Sequence, residues 1–206
     1  MIRLTLLKAS AGRRVRWKND GGWTTEIARD PADSAAEFRW RVSIADIEAD
    51  GPFSEFPDIE RELILLAGNG IELDIGDEPP LRLGERFQRA RFAGEAQVEC
   101  RLIAGPTRDF NVMTRRGDVR AELLARPLVG SMVLFAETDV VWIVHALSGR
   151  AEARAGDAEA AIEPGDTLRI DFGRDPGRVV IEGSGEIVLV KLSPADEHNG
   201  EAPPGP

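Results

Sequence analysis

The chain has one cysteine, two histidines and no long apolar run in 206 residues. Cys100 alone cannot close an internal disulfide, which suits a reducing compartment and leads to the expectation of a cytoplasmic protein. It lies in the alternating stretch Val98-Glu99-Cys100-Arg101-Leu102-Ile103, where a packed thiol is expected rather than a nucleophile. Imidazole-based transition-metal sites need several ligands converging at once. His145 sits in the apolar run Trp142–Leu147 and His198 close to the C-terminus, so a three-histidine site is impossible within one chain. No metal and no other cofactor is expected, and His145 is read as a core or barrel-lining residue. Nucleophilic catalysis would have to recruit that same histidine, and no Gly-x-Ser-x-Gly elbow, Gly-x-Gly-x-x-Gly or phosphate-loop lysine motif occurs. No catalytic residue is assigned.

An excess of positive charge is also missing. Against 26 Lys+Arg stand 36 Asp+Glu, a net charge of −10, which excludes general nucleic-acid binding through a basic face. The local clusters Arg13-Arg14-Val15-Arg16 and Arg115-Arg116 are read as solvated surface. The longest apolar run, Val140–Val144, is strand-sized, far below the ~20 residues of a membrane helix. The first eight residues are too short and too punctuated for a signal peptide.

A hydrophobic content of 42% beside 30% charged residues suits a globular protein with a sizeable core. Most of the chain reads as strands. Ile2–Leu7 has strand composition. Phe38–Ala45 alternates at period two, with Phe38, Trp40, Val42 and Ile44 on one face and Arg39, Arg41, Ser43 and Ala45 on the other. Arg61–Leu66 and Ile71–Ile75 flank Ala67-Gly68-Asn69-Gly70, a hairpin signal. Helical patterns are nearly absent. Asp118–Leu124 is consistent with either a helical turn or a strand.

Turn markers repeat. Leu66-Ala67-Gly68 is echoed by Leu147-Ser148-Gly149, Gly76-Asp77 by Gly156-Asp157, and Leu83-Gly84-Glu85 by Pro164-Gly165-Asp166. Turn-punctuated strands repeated in this order are the pattern of small jelly-roll barrels. The expectation is an all-β chain with an N-terminal barrel over 1–126, a C-terminal barrel over 127–192, and a disordered tail over 193–206. Whether the halves exchange strands is left open.

One stretch concentrates chemistry: Trp17-Lys18-Asn19-Asp20-Gly21-Gly22-Trp23-Thr24-Thr25-Glu26-Ile27. Adjacent glycines let backbone and ligand approach closely, and the residues after them read as a strand that anchors the loop. Trp17-Lys18-Asn19-x-Gly21-Gly22-x-Thr24-x-Glu26-Ile27 resembles the signature of the HutD/Ves family. The resemblance extends to Arg41-x-Ser43-x-Ala45-x-Ile47, Asp50-Gly51-Pro52-Phe53-Ser54-x-Phe56-Pro57, Arg61, Asp109–Met113 and Arg115-Arg116-Gly117. Asp20 and Asp58 depart from it, standing where the family commonly has glycine.

The resemblance implies two fused cupin-like barrels (a bicupin) in a cytoplasmic protein linked to histidine utilisation. It also implies a regulatory or ligand-sensing role, with pathway acids such as urocanate or N-formylglutamate as ligands. Arg61 and Arg41 are the natural carboxylate partners, because a guanidinium offers a planar fork to two oxygens. Asn19, Thr24 and Ser43 supply directional hydrogen bonds, and Trp17, Phe53 and Phe56 wall off water or stack on a planar acid. The alternatives are a metal-independent enzyme using Glu26 or Asp20 as general base, and a protein–protein adaptor. Exposed strands make a homodimer a further expectation.

Overall fold

Period-two alternation becomes sixteen strands in a computed structural model describing residues 2–32, 37–174 and 176–195. In chain order these are β1 (Arg3–Leu7), β2 (Arg13–Arg16), β3 (Gly22–Asp30), β4 (Trp40–Ile47), β5 (Gly51–Pro52), β6 (Ile59–Ala67), β7 (Ile71–Ile75) and β8 (Leu81–Leu83). They continue as β9 (Arg89–Ala93), β10 (Val98–Leu102), β11 (Thr107–Arg115), β12 (Val119–Phe135), β13 (Val141–Ala155), β14 (Ala158–Ile162), β15 (Thr167–Asp171) and β16 (Arg178–Pro194). Among the described residues the only helix is the single turn Ala9–Ala11, and no helix is long and apolar enough to cross a membrane.

The strands form three antiparallel sheets. One has the order β2-β3-β4-β11-β6-β9, and a smaller one, β5-β10-β7-β8, closes over its inner face. Between them Ile47, Leu63, Leu73, Val98 and Cys100 make an apolar core. The third sheet, β1-β15-β13-β16-β12 with β14 on β13, builds the C-terminal half. The outer face of the first sheet, carrying Trp40, Val42, Ile64 and Phe110, packs on Ile143, Val188 and Val190 of the third. Two walled cores separated by a seam fit the two fused cupin-like barrels expected.

The third sheet forms both walls of its core because its long strands bend at a row of glycines. Gly130 pairs with Gly183, and Gly185 with Gly149, across β12, β16 and β13. Side chains are excluded at this corner: a Cβ on Gly149 would lie 1.9 Å from the Ser184 carbonyl oxygen, and one on Gly185 2.0 Å from that of Ser148. A bulge between Ala146 and Ser148 shifts the alternation of β13 by one, so Val144 and Ala146 before it and Ala151 and Ala153 after it all face the same core.

The repeated turn markers share backbone conformation at two of three places. Gly68 and Gly149 have φ of +95° and +75°, and Gly76 and Gly156 have φ of +52° and +59°. The third pair differs: Gly165 has φ of +86°, whereas in the first half the left-handed residue is Phe87 at +70°.

Several expectations need correction. Phe38 precedes β4 and packs with Ile59 and Met113, on the side opposite Trp40 and Val42, because the strand begins only at Trp40. The stretch Asp118–Leu124, open between helical turn and strand, resolves as strand from Val119 onward, the start of β12, with Asp118 in the preceding turn. That strand runs unbroken through Arg126-Pro127, and β1 pairs with β15 in the C-terminal half. Ser193 and Pro194 are paired with Arg120 and Val119. The rest of the expected tail from position 196 onward, His198 included, lies outside the described residues.

The glycine corner gives a direct test. Gly149→Ala should cost about 3 kcal/mol or more, because backbone must move, whereas Gly76→Ala, with open space around its Cβ, should cost only the left-handed strain of about 1–2 kcal/mol. Urea unfolding of both variants measures the difference, and equal losses would contradict the corner's role.

Candidate ligand cavity

Pairing across four strands arranges polar side chains in a lattice on the inner face of the first sheet. Arg29, Arg41, Met113 and Arg61 stand in one row across β3, β4, β11 and β6. Glu26, Ser43 and Asn111 stand in the next, followed by Thr24, Ala45 and Asp109. A bulge between Glu26 and Ala28 brings Arg29 onto the same face as Glu26. These rows floor an open cavity of about 610 Å³. Its walls include Trp17, Lys18 and Asn19 from the β2–β3 loop and Phe53, Ser54 and Phe56 from the segment after β5.

The wall from the β2–β3 loop is fixed to the sheet beneath it. The Trp17 amide donates to the Gly22 carbonyl at 3.0 Å, and the Glu48 and Ala49 amides donate to the Gly21 carbonyl at 2.8 and 3.1 Å. Gly22 lies so close to β4 that a Cβ would sit 2.3 Å from the Asp46 carbonyl oxygen. The Trp17 indole Nε1 donates to Thr24 Oγ1 at 2.8 Å, and its ring meets Phe53 edge-on with centroids 6.2 Å apart. Asn19 Oδ1 accepts from the Gly21 amide at 3.1 Å, so this amide shapes the loop.

Asp20 adopts φ of +55° and Asp58 +61°. Both departures from the family pattern therefore fall on left-handed residues, where glycine carries no steric cost and aspartate is among the better-tolerated alternatives. Asp20 is exposed, pairs with Arg16 at 3.4 Å, and does not line the cavity.

All eight residues singled out from the sequence, Trp17, Asn19, Thr24, Arg41, Ser43, Phe53, Phe56 and Arg61, line this one cavity. Their commitments differ. Arg41 Nε donates to Glu26 Oε2 at 2.7 Å, and Arg29 approaches the same oxygen at 3.5 Å. Arg61 is 6% exposed and, among the described residues, has no carboxylate within ion-pair distance. The neighbouring Glu60 and Glu62 turn to Arg91 and Arg89 on the other face. Its Nη1 donates to the Ser54 carbonyl at 3.2 Å, its Nη2 to Asn111 Oδ1 at 3.4 Å, and its Nε has no partner. Phe92, Phe53 and Phe56 surround the guanidinium, with centroids 4.9, 5.2 and 5.7 Å from Cζ. Burial pulls its pKa down to about 10, with Asp109 opposing and Arg41 assisting, yet it stays charged at neutral pH.

Asp109 and Asn111 carry more of the site than the sequence alone conveyed. Asn111 bridges the two buried charges, accepting from Arg61 on Oδ1 and donating through Nδ2 to Asp109 Oδ1. Asp109 is 1% exposed and its Oδ2 has no partner. Burial raises its pKa to about 7, against the pull of Arg61, the Ala45 amide and Asn111. The cavity is nonetheless strongly basic: Arg13, Arg16, Lys18, Arg29, Arg41 and Arg61 line it against Glu26 and Asp109, in a chain of net charge −10. Such a basin draws anions.

The other titratable candidates fall elsewhere. His145 is buried at the seam between the halves, with Nδ1 2.8 Å from Thr167 Oγ1, and burial lowers its pKa to about 4. Cys100 is 1% exposed and burial pushes its thiol up to about 12, as for a packed side chain. Among the described residues no three His, Cys, Asp or Glu side chains cluster as metal ligands would.

The architecture is that of a cupin-like protein with one basic, aromatic-walled cavity in its N-terminal half. The solved protein Ylba of Escherichia coli, only 11% identical, shares the fold at a TM-score of 0.68 over 93% of this chain. The chain belongs to the HutD family, whose profile matches residues 9–189. A Pseudomonas putida relative, described as an uncharacterised 21.2 kDa protein in the hutC 3′ region, is 35% identical over 93% of this chain and 98% of its own length. Protein Ves of Escherichia fergusonii is 38% identical over 52% of this chain and 56% of its own. The solved HutD of Pseudomonas fluorescens SBW25, from a formate condition, superposes at a TM-score of 0.77 with 30% identity, covering 94% of this chain and all of that one.

A raised native pKa at Asp109 fixes the sign of a pH effect. The folded protein holds this proton more tightly than the unfolded chain, so the associated stability is present in full below about pH 4 and is lost as pH rises through about 7. Relative to Asp109→Asn, the wild type should therefore be most favoured at acid pH and progressively less so toward pH 8. Thermal melts of the pair across that range measure it, and parallel curves would contradict the burial argument.

Proposed function

We propose that this HutD-family protein is a non-catalytic binder of a small carboxylate and that it modulates histidine utilisation. The carrying observation is Arg61: a buried, charged guanidinium with an uncommitted Nε–H, ringed by three phenylalanines and facing a cavity sized for a small acid. A carboxylate there gains charge-assisted hydrogen bonds in a site already desolvated. The placement of the P. putida relative in a hut region and the name of the P. fluorescens neighbour support the pathway. Urocanate and N-formylglutamate, small acids of that pathway, are the ligands to test first.

An enzymatic reading finds less support. Asp20 is exposed and does not line the cavity, and the Glu26 carboxylate that lines it is paired with Arg41 and Arg29. His145, the described histidine, lines the seam rather than this cavity.

Calorimetric titration with the two acids tests the proposal. Arg61→Met keeps apolar volume among the aromatic rings and removes the charge, so it should weaken binding by about 1.5–3 kcal/mol. An unchanged dissociation constant would remove Arg61 from the site, and no binding of either acid to the wild type would sink the ligand assignment.

A further inference from the structure

The cavity floor holds two buried polar groups of opposite character, each with one atom unpartnered. Arg61 Nε is a donor without an acceptor, and Asp109 Oδ2 an acceptor without a donor. They are not in contact, because Asn111 stands between them and spends its amide on both. Arg29 Nε, in the first row of the lattice, is a further buried donor without a partner. A simple monocarboxylate answers only the guanidinium side and leaves Asp109 as it was. Its negative charge would also stand near a buried carboxyl, a repulsive arrangement unless another group intervenes.

We propose that Asp109 is a specificity residue that accepts a hydrogen bond from an N–H of the ligand, so the cavity takes small acids carrying both a carboxylate and a ring or amide N–H. The inference rests on the carboxylate-binding reading of the same cavity. Asp109 is placed for this by β11: Asp109, Asn111 and Met113 alternate onto the cavity face while Phe110 and Val112 face the seam. An unsatisfied buried acceptor discriminates strongly, because a ligand lacking the donor must leave it desolvated and unpaired. The charged and titratable groups around Asp109 are Arg61 on β6, Asp46 and Arg41 on β4, Glu26 on β3 and Cys100 on β10. Burial keeps the Cys100 thiol neutral and Arg61 stays cationic across the neutral range, while Asp109 itself titrates near pH 7.

The experiment uses two acids of nearly equal shape, 3-(pyrrol-2-yl)acrylate and 3-(2-furyl)acrylate, which differ in a ring N–H against a ring oxygen. Neither ring titrates between pH 6 and 8. Calorimetry on the full chain should show the pyrrole acid binding at least about tenfold more tightly, a preference that grows as pH rises from 6 to 8 and Asp109 ionises. In Asp109→Leu, checked for folding by circular dichroism, the two acids should bind within about threefold of each other. If that variant does not fold, the wild-type pair and its pH profile decide alone. Equal binding of both acids to the wild type would overturn the role of Asp109 and leave the carboxylate site standing. A furan acid that binds better than the pyrrole acid, and better still as pH falls, would overturn it by making Asp109 a protonated donor. Failure of both acids, with failure of urocanate, would overturn the carboxylate reading beneath it.

Discussion

A guanidinium inside a β core constrains everything around it. Arg61 is almost wholly shielded from water, and a charge in that position persists only where hydrogen bonds, aromatic faces or an opposite charge replace its hydration. The protein provides the Ser54 carbonyl, the Asn111 amide and three rings, and keeps the compensating carboxyl of Asp109 one residue away. A direct buried ion pair would have neutralised the site and closed it to ligands. Inserting Asn111 between the charges leaves each with capacity to spare.

That arrangement depends on a sheet with two unlike faces. Outward, Trp40, Val42, Phe110 and Val112 seal the first sheet onto the C-terminal half. Inward, the same strands present Arg41, Ser43, Asp109 and Asn111 toward one end and the apolar Ile47 at the other, and Leu63 of β6 lies opposite Asn111. The apolar seam supplies rigidity and the polar end supplies recognition. Fixing the side chains to paired strands holds them in register, and the β2–β3 loop adds a wall tied to β4 by backbone hydrogen bonds. The glycine corner of the third sheet serves the other half in a similar way, letting three long strands line both sides of one core.

Much of this was legible in the sequence because it is local. The Trp17–Ile27 loop announces itself by composition, the period-two pattern of Arg41 and Ser43 places them on one face, and Phe53 and Phe56 are aromatic anchors beside turn residues. Two of the three glycine markers repeat because both halves make left-handed turns at equivalent points. The parts that escaped depend on long-range pairing. Asp109 and Asn111 meet Arg61 only because β11 lies between β4 and β6, and no local signal gives that order, although their alternation with Phe110 and Val112 hinted at a polar inward face. Period-two alternation places Phe38 on the wrong side because β4 begins only at Trp40. The seventeen-residue β12 runs across the boundary expected between 126 and 127, because Pro127 sits within an edge strand rather than ending it.

The central claim is that the Arg61 side chain meets a carboxylate in this cavity. The most direct measurement is the Nε–Hε resonance of Arg61 in ¹⁵N-labelled protein, assigned by its loss in Arg61→Met, during titration with urocanate. The account predicts a saturable shift of that resonance together with slower exchange of its proton with water, as a new acceptor takes the unpartnered N–H. A resonance that stays fixed while other signals report saturating binding would contradict it.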